Sequence, residues 1–125
     1  MSDPPIAAVM IHVSDVTGAI AWYSQAFATA VRVTLPGSTF EYLTVGNVRL
    51  EFVPADAKVP SGPAGTVVYW NVPRFEPALA HLQSIGATLY RGPLAIEDGQ
   101  SMCQVRDPWG NCLGLRGPSR SDSTA

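Results

Sequence analysis

The pattern of residues points to an α+β fold made of two β-α-β-β-β modules. A β-rich run leads into an amphipathic helical stretch and three further β-rich runs. A proline- and glycine-rich break follows. The same order of elements then restarts and runs almost to the end of the chain. A length of 125 residues suits one domain with a core of ordinary size.

The elements follow in order. Residues 6–13 are apolar and rich in β-branched side chains, which favours a strand. Ser14 and Asp15 each offer an oxygen to the free amides of a helix start. Val16, Ile20, Tyr23 and Phe27 then recur on one helical face. Residues 31–35, 39–45 and 48–53 read as three strands; Pro36-Gly37 separates the first two, and Gly46-Asn47 forms a tight hairpin between the second and third. The break holds Pro54, Pro60, Pro63, Gly62 and Gly65, and it cannot lie in a sheet interior. In the second half, residues 66–72 are β-rich, and Pro73 suits a first helical position, where no N–H is needed. Phe75, Leu79, Leu82 and Ile85 make the helical face, with Gly86 as its C-terminal stop. Strands are expected at 87–90, 101–106 and 112–116. A long connection spans 90–100, and Asp107-Pro108-Trp109-Gly110-Asn111 is a strong turn sequence. This gives modules at 6–54 and 65–116, a linker at 55–64, an extended or disordered stretch at 1–5 and a polar tail at 117–125.

Composition narrows the function. Hydrophobic residues make up 46% of the chain and charged residues only 14%, so it folds and has little polar surface to cover itself. Burial of one face against a second copy is the natural consequence. The net charge is -2, and the eight basic residues are scattered singly, which argues against nucleic acid. The first five residues lack the features of a signal peptide, and no apolar run is long enough to span a bilayer. A cytoplasmic protein with no membrane partner is expected. Cys103 and Cys112 then stay reduced and act as small buried hydrophobes, since their spacing fits no metal pattern.

Several stretches together resemble a known family. Ile11-His12-Val13-Ser14-Asp15 leading into Ala19-Ile20-Ala21-Trp22-Tyr23, then Val48-Arg49-Leu50-Glu51-Phe52, and finally Asp107-Pro108-Trp109-Gly110-Asn111-Cys112-Leu113-Gly114-Leu115 are similar to the vicinal-oxygen-chelate superfamily of glyoxalases, bleomycin-resistance proteins and extradiol dioxygenases. The resemblance spans about residues 6–116 and implies a cup-shaped, mostly antiparallel mixed sheet of eight strands. Enzymes of that family hold a divalent metal with one side chain near each of strands 1, 4, 5 and 8. The matching positions here are Ala8, Glu51, Val67 and Gly114. Glu51 alone has a donor, and one carboxylate does not make a divalent site. No metal and no other cofactor is therefore expected.

From these anchors, the period of two along a strand turns four sets of residues toward the cup: Ala8, Met10 and His12; Arg49, Glu51 and Val53; Val67, Tyr69 and Asn71; Cys112, Gly114 and Arg116. Glu51 is the candidate catalytic residue, as a general base, or a ligand contact; the alternative is a salt bridge to Arg49 or Arg116. His12 is a ligand candidate whose alternative is a structural hydrogen bond to loop backbone. Tyr69 offers a stacking surface or core packing, and Arg116 a cation at the rim. Glu97 and Gln104 are candidates at the cup mouth, set against plain solvated polarity.

The expected function is that of a metal-independent protein binding a small organic ligand, similar to the bleomycin-resistance branch, in which two copies form ligand crevices. The alternative is a glyoxalase-like lyase, isomerase or dioxygenase using Glu51 with an atypical or absent metal. A homodimer is expected in either case.

Overall fold

The computed structural model describes residues 6–119. The expected extended stretch 1–5 and residues 120–125 of the expected tail lie outside the described residues. Two compact units divide the chain between Ser61 and Gly62.

In the first unit β1 (Ala8–Val13) leads to α1 (Val16–Ala26), β2 (Val31–Thr34), β3 (Glu41–Val45) and β4 (Val48–Pro54). The sheet order is β1-β4-β3-β2, with β1 parallel to β4 and the other pairs antiparallel. Asp15 caps α1 as expected: its Oδ1 accepts from the Gly18 amide at 3.0 Å. Ile20 and Tyr23 point to the sheet, where the Tyr23 ring lies 5.0 Å from that of Phe52. Leu43, Leu50 and Phe52 are buried, so they form the helix-facing side of the sheet. Their strand neighbours Arg49, Glu51 and Val53 therefore stand on the side without a helix.

The second unit repeats the order with β5 (Val68–Asn71), α2 (Phe75–Ser84), β6 (Thr88–Ala95), β7 (Gln100–Arg106) and β8 (Cys112–Pro118), arranged as β5-β8-β7-β6. Phe75 and Leu82 of α2 are buried, as are Cys103, Val105, Leu113 and Leu115 of the sheet. Trp70 is buried and Tyr69 only half-buried, as alternation requires. The expected α+β class and β-α-β-β-β order are present, and the eight strands hydrogen-bond as two four-stranded sheets.

Four details differ from expectation. The helix of the second unit begins at Phe75 with an extended Arg74 as its cap, so Pro73 lies ahead of the helix. Strand β5 is shorter than 66–72, although the Val72 amide still bonds to the Arg116 carbonyl at 2.9 Å. Residues 117–119, expected in the tail, continue the structure: Gly117 and Pro118 pair with Ser101 and Gln100, and the Ser119 amide donates to the Gly99 carbonyl.

The largest difference concerns the connection expected at 90–100. Strand β6 runs on to Ala95, and only a short turn at Glu97–Gly99 joins it to β7. Gly92-Pro93 reads as a strand end, yet the chain passes it by register shifts on either side of Arg91 and resumes pairing at Leu94. Gly92 has φ +86, and a Cβ there would lie 3.0 Å from the Met102 carbonyl oxygen. Arg91 thus belongs to a ladder, opposite Gln104.

The break between the units is tied down by short polar contacts. Asp56 Oδ1 accepts from the Lys58 and Val59 amides, and the Gly62 amide donates to Asn111 Oδ1 at 2.9 Å. Asn111 ends the turn after β7. There the buried Asp107 carboxylate accepts from the Trp109 and Asn111 amides, both at 2.9 Å.

Candidate functional site

On the helix-free side of the first sheet, the β1–β4 register sets Ala8 beside Arg49, Met10 beside Glu51 and His12 beside Val53. Tyr42 shares this side, because its strand neighbour Thr44 pairs with Arg49. The Arg49 guanidinium covers the Tyr42 ring at 3.9 Å, a cation–π contact. Arg49 Nε also stands 3.3 Å from Glu51 Oε2. That N–H is not aimed at the carboxylate, so the two charges are close without a hydrogen bond between them. Of the readings open for Glu51, the pair with Arg49 is present. His12 is half-buried on the same side, and its backbone carbonyl accepts from Ser61 Oγ.

The second sheet brings three of the candidate residues together. One row crosses it from β5 to β6: Tyr69, Gly114, Gln104 and Arg91. Gly114 leaves the centre of this row bare, and the Tyr69 ring lies in the space. A Cβ on Gly114 would fall 2.4 Å from two ring carbons. The ring therefore crosses β8 and brings its hydroxyl to β7, where Gln104 Nε2 donates to Tyr69 Oη at 2.9 Å. The Cys112 thiol donates to Gln104 Oε1 at 3.4 Å. Burial raises the Cys112 thiol above its ordinary value, against the pull of nearby Arg106 and Arg91. It thus remains a protonated donor. Arg116 follows Gly114 by two residues, and its guanidinium stands 5.4 Å from the Tyr69 ring centre.

Tyr69, Gln104 and Arg116 accordingly form one cluster in the second unit, while His12 and Glu51 lie on the first sheet. Glu97 is exposed in the turn beyond β6, at the end of the ladder where Gln100 pairs with Pro118. Four residues of β7, roughly 13 Å, separate that end from Gln104. Cys112 is a correction: it is half-buried and hydrogen-bonded, whereas Cys103 is buried as expected and burial pushes its thiol up to about 11. Arg91 and Arg106 were not among the sequence candidates, although both share the face of Gln104. Arg91 was hidden because Gly92-Pro93 reads as the end of a strand.

A cavity of about 330 Å³ opens on the helix side of the first unit, between α1 and the segment before β3. Its walls include Val16, Ile20, Phe40 and Phe52, and its carboxylate, Glu41, is held by Arg32 through bonds of 2.8 and 3.2 Å. The hydrogen bonds from Arg32 keep the Glu41 carboxyl below its ordinary value. Among the described residues that line it, no charge is left unpaired.

The metal expected of the family's enzymes does not fit these residues. Ala8 and Val67 carry no donor, and the room beside Gly114 is filled by the Tyr69 ring. Among the described residues, no three His, Cys, Asp or Glu side chains converge to hold an ion. Nor is any helix among them long and apolar enough to cross a membrane.

A family model described as the Glyoxalase/Bleomycin resistance protein/Dioxygenase superfamily matches residues 6–115. Comparison with curated protein sequences gives no significant match. Among solved structures, a glyoxalase/bleomycin resistance protein/dioxygenase family enzyme from Burkholderia phytofirmans PsJN has a TM-score of 0.76 at 17% identity, over 93% of this chain and 98% of that one. TnmS3, an antibiotic binding protein from Streptomyces sp. CB03234, has a TM-score of 0.70 at 23% identity, over 95% and 99%. FosX, a fosfomycin resistance protein from Listeria monocytogenes, has a TM-score of 0.69 at 8% identity, over 94% and 93%. Likeness at these identities concerns the fold.

Proposed function

The chain belongs to the Glyoxalase/Bleomycin resistance protein/Dioxygenase superfamily, and from that premise we propose that it is a metal-independent small-molecule binding protein of the bleomycin-resistance-like type. The organic ligand rests on the helix-free face of the second sheet, over Tyr69. The observation that carries this reading is the Tyr69 ring seated on Gly114. Where the family resemblance puts a chelating side chain, this chain has an aromatic surface, and Gln104 fixes that surface in place. A rigid ring flanked by a few polar groups is a common make-up for a ligand site. The antibiotic binding protein among the structural neighbours is in keeping with such a use of the fold.

Binding is preferred to catalysis because the acid a lyase, isomerase or dioxygenase would use is already beside a cation. Arg49 Nε is 3.3 Å from the Glu51 carboxylate, and the two share one strand. The same proposal has two copies associating, since a chain with 14% charged residues also exposes Leu89, Tyr90 and Leu94 along β6. Sedimentation at micromolar concentration would then give twice the chain mass. The proposed compartment is the cytoplasm, where Cys103 and Cys112 stay thiols.

The test is a thermal-shift screen of small organic compounds on chelator-treated protein, repeated with Tyr69→Ala and Glu51→Gln. A ligand that binds only the native state raises the melting point by mass action. The proposal expects hits without added metal, lost in Tyr69→Ala and recovered unchanged from wild-type protein after incubation. A compound that wild-type protein converts, and Glu51→Gln does not, would favour the enzyme instead.

A further inference from the structure

We infer that the ligand of the second sheet is a small aromatic oxyanion, a flat ring bearing a carboxylate or phosphonate, with the ring on Tyr69 and the anionic group among Arg91, Arg106 and Arg116. This deepens the binding reading above and rests on it. The two sheets differ sharply in charge. In the first, each arginine has a carboxylate at hand: Arg32 with Glu41 and Arg49 with Glu51. In the second, strands β5 to β8 carry three arginines and no aspartate or glutamate. A protein with a net charge of -2 therefore holds a cationic sheet face.

All three arginines are on the Tyr69 side. Arg91 pairs with Gln104, Arg106 with Cys112, and Arg116 with Asn71 and Met102. Measured from Gly114, Arg116 is two residues along its own strand, roughly 7 Å, and Arg91 is two strands across, roughly 10 Å. The side chains of Arg91 and Arg116 are long enough to meet a common acceptor over such distances, while the Arg106 guanidinium lies over the Tyr90 ring at 5.3 Å. Of the acids nearest in sequence, Asp107 places its negative charge at the Cys112 end of this face, and the other two are remote. Asp107 accepts two backbone amides in its turn, and Glu97 and Asp98 lie beyond the far end of the ladder.

Hydrogen bonding gives the same sign. Tyr69 Oη accepts from Gln104, so its own proton is left to donate elsewhere. Gln104 Oε1 is taken by Cys112. Arg116 Nε is buried and has no hydrogen-bond partner among the described residues, a group that calls for an acceptor. Arg106 spends its Nε on the Gly110 carbonyl and contributes charge rather than that donor. The free capacity of the cluster is thus donors around the half-buried Tyr69 ring, with the Arg116 guanidinium 5.4 Å from its centre, which matches an acceptor-only group on a planar body.

The experiment titrates benzoate, phenylphosphonate, benzylamine, benzyl alcohol and inorganic phosphate into the isotope-labelled full chain, followed by the Gln104 side-chain amide and the arginine Nε–H signals. Benzoate and phenylphosphonate are expected to shift both sets and to weaken as salt is raised. Arg91→Gln, at an exposed position, is expected to weaken both roughly tenfold, and Arg116→Gln at least as much. Benzylamine or benzyl alcohol binding as well as benzoate would overturn the inference, as would an unchanged affinity in Arg91→Gln. Phosphate alone matching phenylphosphonate would overturn the part played by Tyr69. If every probe is silent while the library screen yields a ligand, the anion is wrong and the binding reading stands; a screen without hits removes the binding reading itself.

Discussion

Gly114 decides more than any other single residue, because its missing side chain lets the Tyr69 ring lie against β8. Gly114→Ala would force a Cβ to within 2.4 Å of that ring, far inside contact distance. Overpacking of this kind costs about 1–3 kcal/mol. Urea denaturation is expected to show that loss, and the Gln104–Tyr69 hydrogen bond should be broken in the same variant. Cys103 makes the stability of the fold depend on pH. Burial raises its thiol from 9.0 to about 11, so the folded chain keeps a proton that the unfolded chain releases above pH 9. The stabilising effect is whole below pH 9 and falls away as pH rises toward 11. By linkage the loss approaches about 2 kcal/mol. Denaturation at pH 8 and pH 11 should show wild type losing that much more than Cys103→Ala. Period-two alternation made the facing of Glu51 and Tyr69 legible in the sequence. Cys112 was not, since a lone cysteine on a strand does not reveal that Gln104 will stand beside it.

Among the elements, β6 and the turn after β7 hold the second sheet in the shape the cluster needs. Gly92 takes a positive φ inside β6, with the Met102 carbonyl 3.0 Å from where a Cβ would stand. Gly92→Ala is expected to destabilise by at least about 1 kcal/mol and to disturb the Arg91–Gln104 pairing, seen as lost amide protection along β6 and β7. In the turn, Asp107→Ala would leave the Trp109 and Asn111 amides without their acceptor. A cost of about 1–3 kcal/mol is expected by denaturation. Strand and helix order could be read from periodicity and turn residues alone. The length of β6 could not, because Gly92-Pro93 carries the local mark of a strand end while pairing with β7 carries the chain through it. Pro73 misled for a related reason: proline suits the start of a helix, but an extended Arg74 already caps this one.

For the whole molecule, net charge concealed the feature that bears most on the ligand. The total of -2 averages a balanced first sheet with a cationic second one, and only strand register reveals that three dispersed arginines share a face. The family was legible because its motifs are local in sequence, and the model match over residues 6–115 agrees. The binding proposal depends on an aromatic ring standing where the family's enzymes carry a metal ligand. Calorimetric titration of Mn²⁺, Ni²⁺ and Zn²⁺ into chelator-treated protein, with a screened ligand added before and after, tests it most directly. The predicted result is no saturable site for any of the three ions and one ligand affinity throughout. Tight uptake of about one ion per chain, with ligand binding appearing only once the ion is in place, would contradict it.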